Sequence, residues 1–130
     1  MTSFTCLSGT PDEAGLRATL TDYFDGLYHG EMDRFGAAFH PLARLWTVAE
    51  GTVSAIDYAP YMERCRGRAA PAASGAVQLA EVLELTQSSG DTAHARVRDA
   101  FPPRVYINDL TLVRSEGRWQ IVAKVYHAET

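Results

Sequence analysis

The sequence lacks the motifs that would hold a metal, a nucleotide or a catalytic serine. It has four histidines, but none stands in HxH or HExxH spacing, which disfavours a metal site. GxSxG, P-loop and dinucleotide-binding motifs are absent, so serine hydrolysis, nucleotide hydrolysis and a Rossmann cofactor have no support. The two cysteines, Cys6 and Cys65, have no CxxC spacing, and we expect free thiols. We therefore predict no bound metal and no cofactor.

Basic clusters and long apolar segments are also scarce. The sequence has 12 Lys and Arg residues against 16 Asp and Glu, a net charge of −4, and no basic cluster is dense enough to follow a phosphate backbone. No apolar run approaches the roughly 20 residues that cross a bilayer, and the N-terminus has neither the basic start nor the apolar centre of a signal peptide. We expect no nucleic-acid partner, no membrane and a cytoplasmic location.

What is present is the composition of one folded domain. The chain has 130 residues, of which 46% are hydrophobic, enough for a core of ordinary size. Residues 1–9 show no periodicity and are predicted to be a flexible tail. A helix start with a Thr cap, a proline and two acidic residues follows at Thr10, so we place a single domain at residues 10–130.

Hydrophobic periodicity predicts three helices and five strands. The helices are expected at about Thr10–His29, Glu31–Phe39 and Tyr58–Arg66. The strands are expected at Leu42–Glu50, Ala76–Thr86, Ala93–Phe101, Val105–Arg114 and Trp119–His127. This order implies an α+β domain whose helices cover one face of a curved, mainly antiparallel sheet.

The last two strands form the strongest structural signal, a hairpin around Glu116 and Gly117. A two-residue loop would set Leu112 opposite Ile121 and continue the alternation inward to His127. The same face would carry Tyr106, Asn108 and His127 together at its polar end. The opposite face would then hold Asp109 across from Lys124 as an exposed pair.

Four stretches of the sequence resemble one known family. They are Tyr23–Asp33 (YFDGLYHGEMD), Phe39–Leu45 (FHPLARL), Asp109–Leu112 (DLTL) and Gly117–His127 (GRWQIVAKVYH). These residues resemble the putative lumazine-binding family, part of the nuclear transport factor 2-like superfamily with SnoaL-like cyclases and ketosteroid isomerases. The resemblance implies a cone-shaped fold with three helices on the concave face of the sheet, a pocket between them and, commonly, a dimer.

One position departs from that family pattern. Where relatives tend to place an acid two residues before the Leu-x-Leu run, this chain has Asn108. An amide cannot accept a proton at neutral pH, so a general base is not expected there.

Two residues are candidates for proton transfer. His127 lies on the face predicted to point inward and could exchange a proton near neutral pH; the alternative is a strand-end histidine that is solvated or bonded to a carbonyl. Asp99 shares the alternation of Ala95 and Val97, which would turn a carboxylate inward and raise its pKa. The alternative for Asp99 is a bulge near Pro102 that turns it to solvent.

A further set of residues is predicted to line the pocket. His40 could face it or merely cap the preceding helix, and the aromatic residues could be walls or plain core. The predicted ligand-binding residues are Tyr106, Asn108, His40, Trp46, Tyr23 and Tyr61.

Two functional classes remain open from the sequence. The first is a small-molecule pocket protein that binds a flat, largely neutral ring compound in an apolar cavity. The alternative is an isomerase, cyclase or dehydratase that uses His127 or Asp99 for proton transfer, with Tyr106 or Asn108 as the oxyanion donor. A homodimer through the outer sheet face is expected in either case, because apolar residues lie there among charges.

Overall fold

The chain forms a six-stranded mixed sheet with three helices on one face, in a computed structural model that describes residues 12–129. In chain order the elements are α1 (Glu13–His29), α2 (Met32–Ala37), β1 (Phe39–Ala49), β2 (Thr52–Asp57), α3 (Tyr58–Arg66), a short 3₁₀ helix (Pro71–Ser74), β3 (Ala80–Gln87), β4 (Thr92–Phe101), β5 (Arg104–Ser115) and β6 (Arg118–Ala128). The predicted α+β fold class is confirmed.

Helix α1 buries one stripe of side chains at spacings of three and four residues. Leu16, Leu20 and Tyr23 lie on this stripe and are essentially inaccessible to solvent. The helix ends as predicted at Gly30, which adopts a left-handed conformation with φ of 72°. The predicted Thr10 cap lies outside the described residues.

Helix α2 is shorter than predicted, because the chain turns into β1 at Phe39. The α conformation is disfavoured for a residue that precedes proline. His40 therefore continues an extended segment and does not cap a helix. The pairing of β1 with β6 is irregular between Phe39 and Arg44, which leaves room for Pro41 without an amide hydrogen. The second helix predicted over Glu31–Phe39 is therefore present, and it ends two residues earlier than predicted, at Ala37.

Strand β2 was not predicted from the sequence. It is an edge strand whose residues are almost all exposed, so it has no apolar alternation to reveal it. It pairs with β1 through a tight turn at Glu50 and Gly51, both with positive φ. The strand order is β2-β1-β6-β5-β4-β3, and the β1–β6 pair alone among the described neighbours is parallel.

A β-bulge in β6 decides which side chains enter the space under the helices. The hairpin register starts as predicted, with Leu112 opposite Ile121, and then shifts so that Thr111 lies opposite Ala123. One extra residue of β6 is accommodated there, which reverses the alternation over the rest of the strand. Lys124 consequently faces inward and is 6% exposed.

The predicted exposed pair of Asp109 and Lys124 is therefore wrong. Lys124 lies opposite Leu110 on the helix side of the sheet. Asp109 lies on the outer face, where Arg96 is its ion-pair partner at 3.3 Å.

The core lies between the helices and the inner sheet face. Trp119 and Ile121 point into it, as the hairpin predicts, and both are buried. Its fully buried aliphatic and aromatic side chains include Phe35, Leu45, Leu85, Val97, Leu110 and Leu112. This packing fixes the strand ends that carry the polar residues described next.

Candidate functional site

A cavity of about 140 Å³ lies between α1, α3 and the inner face of β4, β5 and β6. It is lined by Leu27, Tyr61, Arg64, Arg68, Asp99, Phe101, Tyr106, Asn108, Lys124 and Tyr126. Four of these ten residues are Asp, Lys or Arg, so charged groups share the lining with the aromatic and aliphatic side chains expected from the sequence.

Asp99 is the buried acid of the cavity. Regular alternation along β4 turns it inward with Val97, and its side chain is 3% exposed. The Tyr23 hydroxyl donates to Asp99 Oδ2 at 2.8 Å, and Asn108 Nδ2 donates to the same oxygen at 3.0 Å. Burial raises the pKa of Asp99, and the Lys124 charge and the two hydrogen bonds oppose that rise. The pair of donors holds the carboxyl group in one orientation.

Asn108 brings an unsatisfied acceptor to the same cluster. Its side chain is 1% exposed, and its Oδ1 atom is buried without a hydrogen-bond partner in the described part of the chain. A buried polar atom without a partner costs about 1–3 kcal/mol. Asn108 lines the cavity, so its amide group and the Asp99 carboxyl meet the cavity as one polar cluster.

Lys124 is the buried base of the cavity. Its Nζ atom lies 3.5 Å from the Tyr61 hydroxyl and 5.0 to 5.9 Å from the ring centres of Tyr23, Tyr61 and Tyr126. Burial lowers the pKa of Lys124, and the nearby Asp99 charge opposes the shift. Within residues 12–129 no carboxylate forms a direct ion pair with this amine.

Two arginines stand at the open side of the cavity. Arg64 lies in the last turn of α3 and Arg68 follows two residues after the helix ends, and both are exposed. The Arg68 guanidinium stacks over the Phe101 ring at 4.2 Å. Neither arginine has a carboxylate partner in the described residues, whereas Arg66 on the other side of the helix pairs with Glu63 at 2.7 Å. The mouth is therefore positively charged.

The structure brings together most of the aromatic and acidic residues predicted for the site. Asp99, Asn108, Tyr106 and Tyr61 line the cavity, and Tyr23 reaches it through the hydrogen bond to Asp99. The alternative in which a bulge turns Asp99 to solvent is excluded by its burial.

Three predicted residues lie elsewhere. His127 is exposed and pairs with Ile107 on the outer face, because the bulge in β6 reverses the alternation. Trp46 lies opposite Val125 on that same outer face, with the Arg44 guanidinium 4.9 Å from its ring. His40 accepts the amide hydrogen of Leu42 through Nδ1 at 3.0 Å in β1. The expectation that these three side chains face the pocket is wrong.

Sequence reasoning missed the cationic residues of the site. Lys124 is the single lysine among the 12 Lys and Arg residues of the chain, which could have drawn attention to it. The predicted hairpin register instead placed it on the outer face of the sheet. Arg64 and Arg68 are four residues apart, Arg64 in the last turn of α3 and Arg68 just after it, and both line the cavity. Their spacing was visible, but the side of the helix that meets the cavity was not.

A second depression of about 220 Å³ lies beside α1 and the β5–β6 turn. Its charged residues, Asp22 and Arg118, are not buried, so it contains no comparable acid–base cluster. Among residues 12–129, no group of three or more His, Cys, Asp or Glu side chains could hold a metal. None of the described helices is both long and apolar enough to cross a membrane.

Comparison with known proteins gives one family match. Residues 11–127 match the family described as "Putative lumazine-binding". No curated protein matches the sequence.

Solved structures similar to this chain share its fold. They include an NTF2-like protein of unknown function from Silicibacter pomeroyi DSS-3 (22% identity over 89% of this chain and 94% of that chain, TM-score 0.77) and another from Shewanella baltica OS155 (17%, 94% and 97%, TM-score 0.81). A ketosteroid isomerase-like protein from Erwinia carotovora atroseptica SCRI1043 has 16% identity over 93% of this chain and 98% of that one, with a TM-score of 0.73. At these identities the likeness shows the nuclear transport factor 2-like fold alone.

Proposed function

Because the chain belongs to the putative lumazine-binding family, whose match covers residues 11–127, we propose that it is a small-molecule pocket protein that binds a flat ring compound. The observation that carries this proposal is the buried Tyr23–Asp99–Asn108 cluster, whose Asp99 and Asn108 side chains line the cavity. A ring carbonyl, hydroxyl or amide edge matches such a cluster in donors and acceptors.

The cavity volume limits the part of the ligand that is enclosed. An apolar cavity of about 150 Å³ holds a benzene-sized ring, and this cavity is about 140 Å³. One ring is therefore expected inside, and a second ring, as in lumazine, would extend to the mouth. The neutral ligand expected from the sequence gives way to one with an anionic substituent, because Arg64 and Arg68 stand at that mouth without carboxylate partners in the described chain.

An isomerase, cyclase or dehydratase is the second candidate. The observation in its favour is the raised pKa of the buried Asp99 carboxyl, since a raised pKa is what a general acid at neutral pH needs. In such an enzyme Asp99 would transfer the proton, and Tyr106 or Asn108 would donate a hydrogen bond to an oxyanion. His127 is left out because it lies on the opposite sheet face.

We further propose that the outer sheet face carries a homodimer contact. Val48 and Val53 lie opposite each other on β1 and β2 and are 59% and 62% exposed, and Val125 of β6 is 46% exposed on that face. Apolar side chains exposed together are typical of an interface between copies. The cytoplasmic location stays a prediction.

A thermal-shift screen of single-ring carbonyl and hydroxyl compounds tests the proposed ligand site. A bound ring compound is expected to raise the melting temperature of the wild type and to lose most of this effect on Asp99→Asn, which keeps the side-chain shape but changes its hydrogen bonding. His127→Ala is the matched control, because that residue is exposed on the other face and should respond as the wild type does. Equal stabilisation of all three proteins would place the ligand outside the cavity.

A further inference from the structure

Lys124 is the chain's sole side-chain amine, and it lies inside the cavity. The sequence contains 12 basic residues, of which eleven are arginines. Arginine cannot lose its proton in a protein, whereas a buried lysine amine can, and the neutral amine is a nucleophile. The chain thus carries its one side-chain amine nucleophile in the same cavity as its buried acid.

The surroundings of this amine favour its neutral form. Lys124 is buried, with 6% of the residue exposed, and the Tyr61 hydroxyl at 3.5 Å from its Nζ atom is a neutral partner. Burial accordingly lowers the pKa of Lys124. Each unit of lowering raises the fraction of neutral amine at pH 7 about tenfold.

We propose that Lys124 captures a small aldehyde or ketone as an imine inside the cavity. This inference rests on the proposed function only in that the cavity must admit a small ring compound. It adds a covalent site and names the reactive group of the ligand.

The chemistry balances with groups that are present. The Nζ lone pair attacks the carbonyl carbon and forms a C–N bond, while the carbonyl oxygen takes a proton and becomes a hydroxyl. Nitrogen then loses one proton, and the hydroxyl takes a second proton and departs as water, which leaves a protonated C=N bond. Asp99 in its protonated form, which its raised pKa favours, can supply the proton for water to leave. The resulting carboxylate can take back the remaining nitrogen proton, which gives the imine. No oxidant or reductant is needed.

The rest of the cavity defines the class of carbonyl compound. A single ring fits the enclosed volume, and an anionic group on the far side of the ring would meet Arg64 and Arg68 at the mouth. The expected ligand is therefore a ring aldehyde or ketone with a carboxylate or a similar anion.

Reductive trapping with para-formylbenzoate tests the proposal. This probe has one ring, one aldehyde and one carboxylate, and borohydride reduces its imine to a stable amine. The expected product has one adduct per chain, with the mass of the probe less one oxygen atom, on the peptide that contains Lys124. The only competing amine is the N-terminal one, because the sequence has no other lysine.

Two variants and a matched probe separate the possible results. Lys124→Met, which keeps an unbranched chain without an amine, and Lys124→Arg, which keeps the charge, should both lose the adduct at residue 124 while retaining cooperative melting. Para-(hydroxymethyl)benzoate has the same ring and carboxylate but no carbonyl, so its thermal shift reports binding alone. An adduct confined to the N-terminal amine overturns the imine proposal, and a thermal shift with the matched probe would then leave the pocket function standing. Absence of both adduct and shift counts against the two proposals together.

Discussion

Asp99 and Lys124 are a buried acid and a buried base whose charged forms are both disfavoured by burial. Burial raises the pKa of Asp99 and lowers the pKa of Lys124. The charge of each group opposes these shifts, because it favours the charged form of the other group. The two groups line the same cavity and form no direct ion pair with each other in the described chain. At the residue scale, this unpaired acid and base are the centre of the site.

The pH dependence of stability should reveal the Asp99 carboxyl. Its pKa is raised above the ordinary 3.8, so the folded state favours the protonated form. Its contribution to the free energy of unfolding is fully present below pH 3.8 and is lost as the pH rises through the raised value. Wild type should therefore lose stability relative to Asp99→Asn over that interval, as measured by urea unfolding at a series of pH values.

A carboxylate on the outer face provides the control for this measurement. Asp109 is 45% exposed and pairs with Arg96. The stability of the wild type relative to Asp109→Asn should therefore not fall in the same way as the pH rises. A wild type that gains stability relative to Asp99→Asn as the pH rises would show that the Asp99 carboxylate is favoured in the folded state, against this account.

At the scale of single elements, the sequence predicted what repeats regularly and missed what interrupts a repeat. Helix α3 was predicted at its observed bounds, and the inward turn of Asp99 follows from unbroken alternation along β4. Lys124 and His127 exchanged faces because one extra residue in β6 leaves no mark in the pattern of apolar residues. The exposed strand β2 was not predicted because it has no buried face and therefore no alternation of apolar residues.

Helix α3 should supply the preference for anionic ligands. Arg64→Gln combined with Arg68→Gln removes both charges at the cavity mouth, and it should weaken binding of a ring carboxylate up to about fivefold, the scale of an exposed ion pair. Binding of the corresponding neutral amide should change little, because the ring and the inner polar groups are untouched. Calorimetric titration of both ligands measures the difference.

Arg66→Gln on the same helix is the matched control for that pair of changes. It removes one positive charge, half of what the double variant removes, from a residue that does not line the cavity. If Arg66→Gln weakens carboxylate binding as much as the double variant does, the loss of affinity comes from the net charge of the protein and not from contacts with Arg64 and Arg68.

At the scale of the whole molecule, the fold was predictable because the order of helices and strands and the hairpin agree with one architecture. The contents of the pocket were less predictable, because they depend on which strand residues meet α3 across the cavity. Asn108 illustrates the limit: the chain lacks an acid at that position, and the structure places the Asp99 carboxyl of the neighbouring strand beside it at 3.0 Å. Residues distant in sequence supply the acid, the base and the mouth.

The proposed homodimer is a prediction about the outer sheet face. Val48→Glu would place a charge at its centre and should convert a dimer to a monomer in sedimentation at micromolar concentration. Val77 is 91% exposed in the loop before β3, so Val77→Glu is a control that should leave the mass unchanged. A monomeric wild type, or a Val48→Glu protein that stays dimeric, would contradict the proposed contact.

The most direct test of the central claim uses the single lysine of the chain. Protein labelled selectively at lysine should give one ε-methylene NMR signal. The titration of this signal reports the pKa of Lys124, and its chemical shift reports whether a ligand binds in the cavity. The account predicts a titration midpoint below the ordinary 10.5 and a clear shift of the signal when para-(hydroxymethyl)benzoate binds. A midpoint at 10.5, with a signal that does not move at a ligand concentration that saturates the protein, would contradict both the buried base and the site around it.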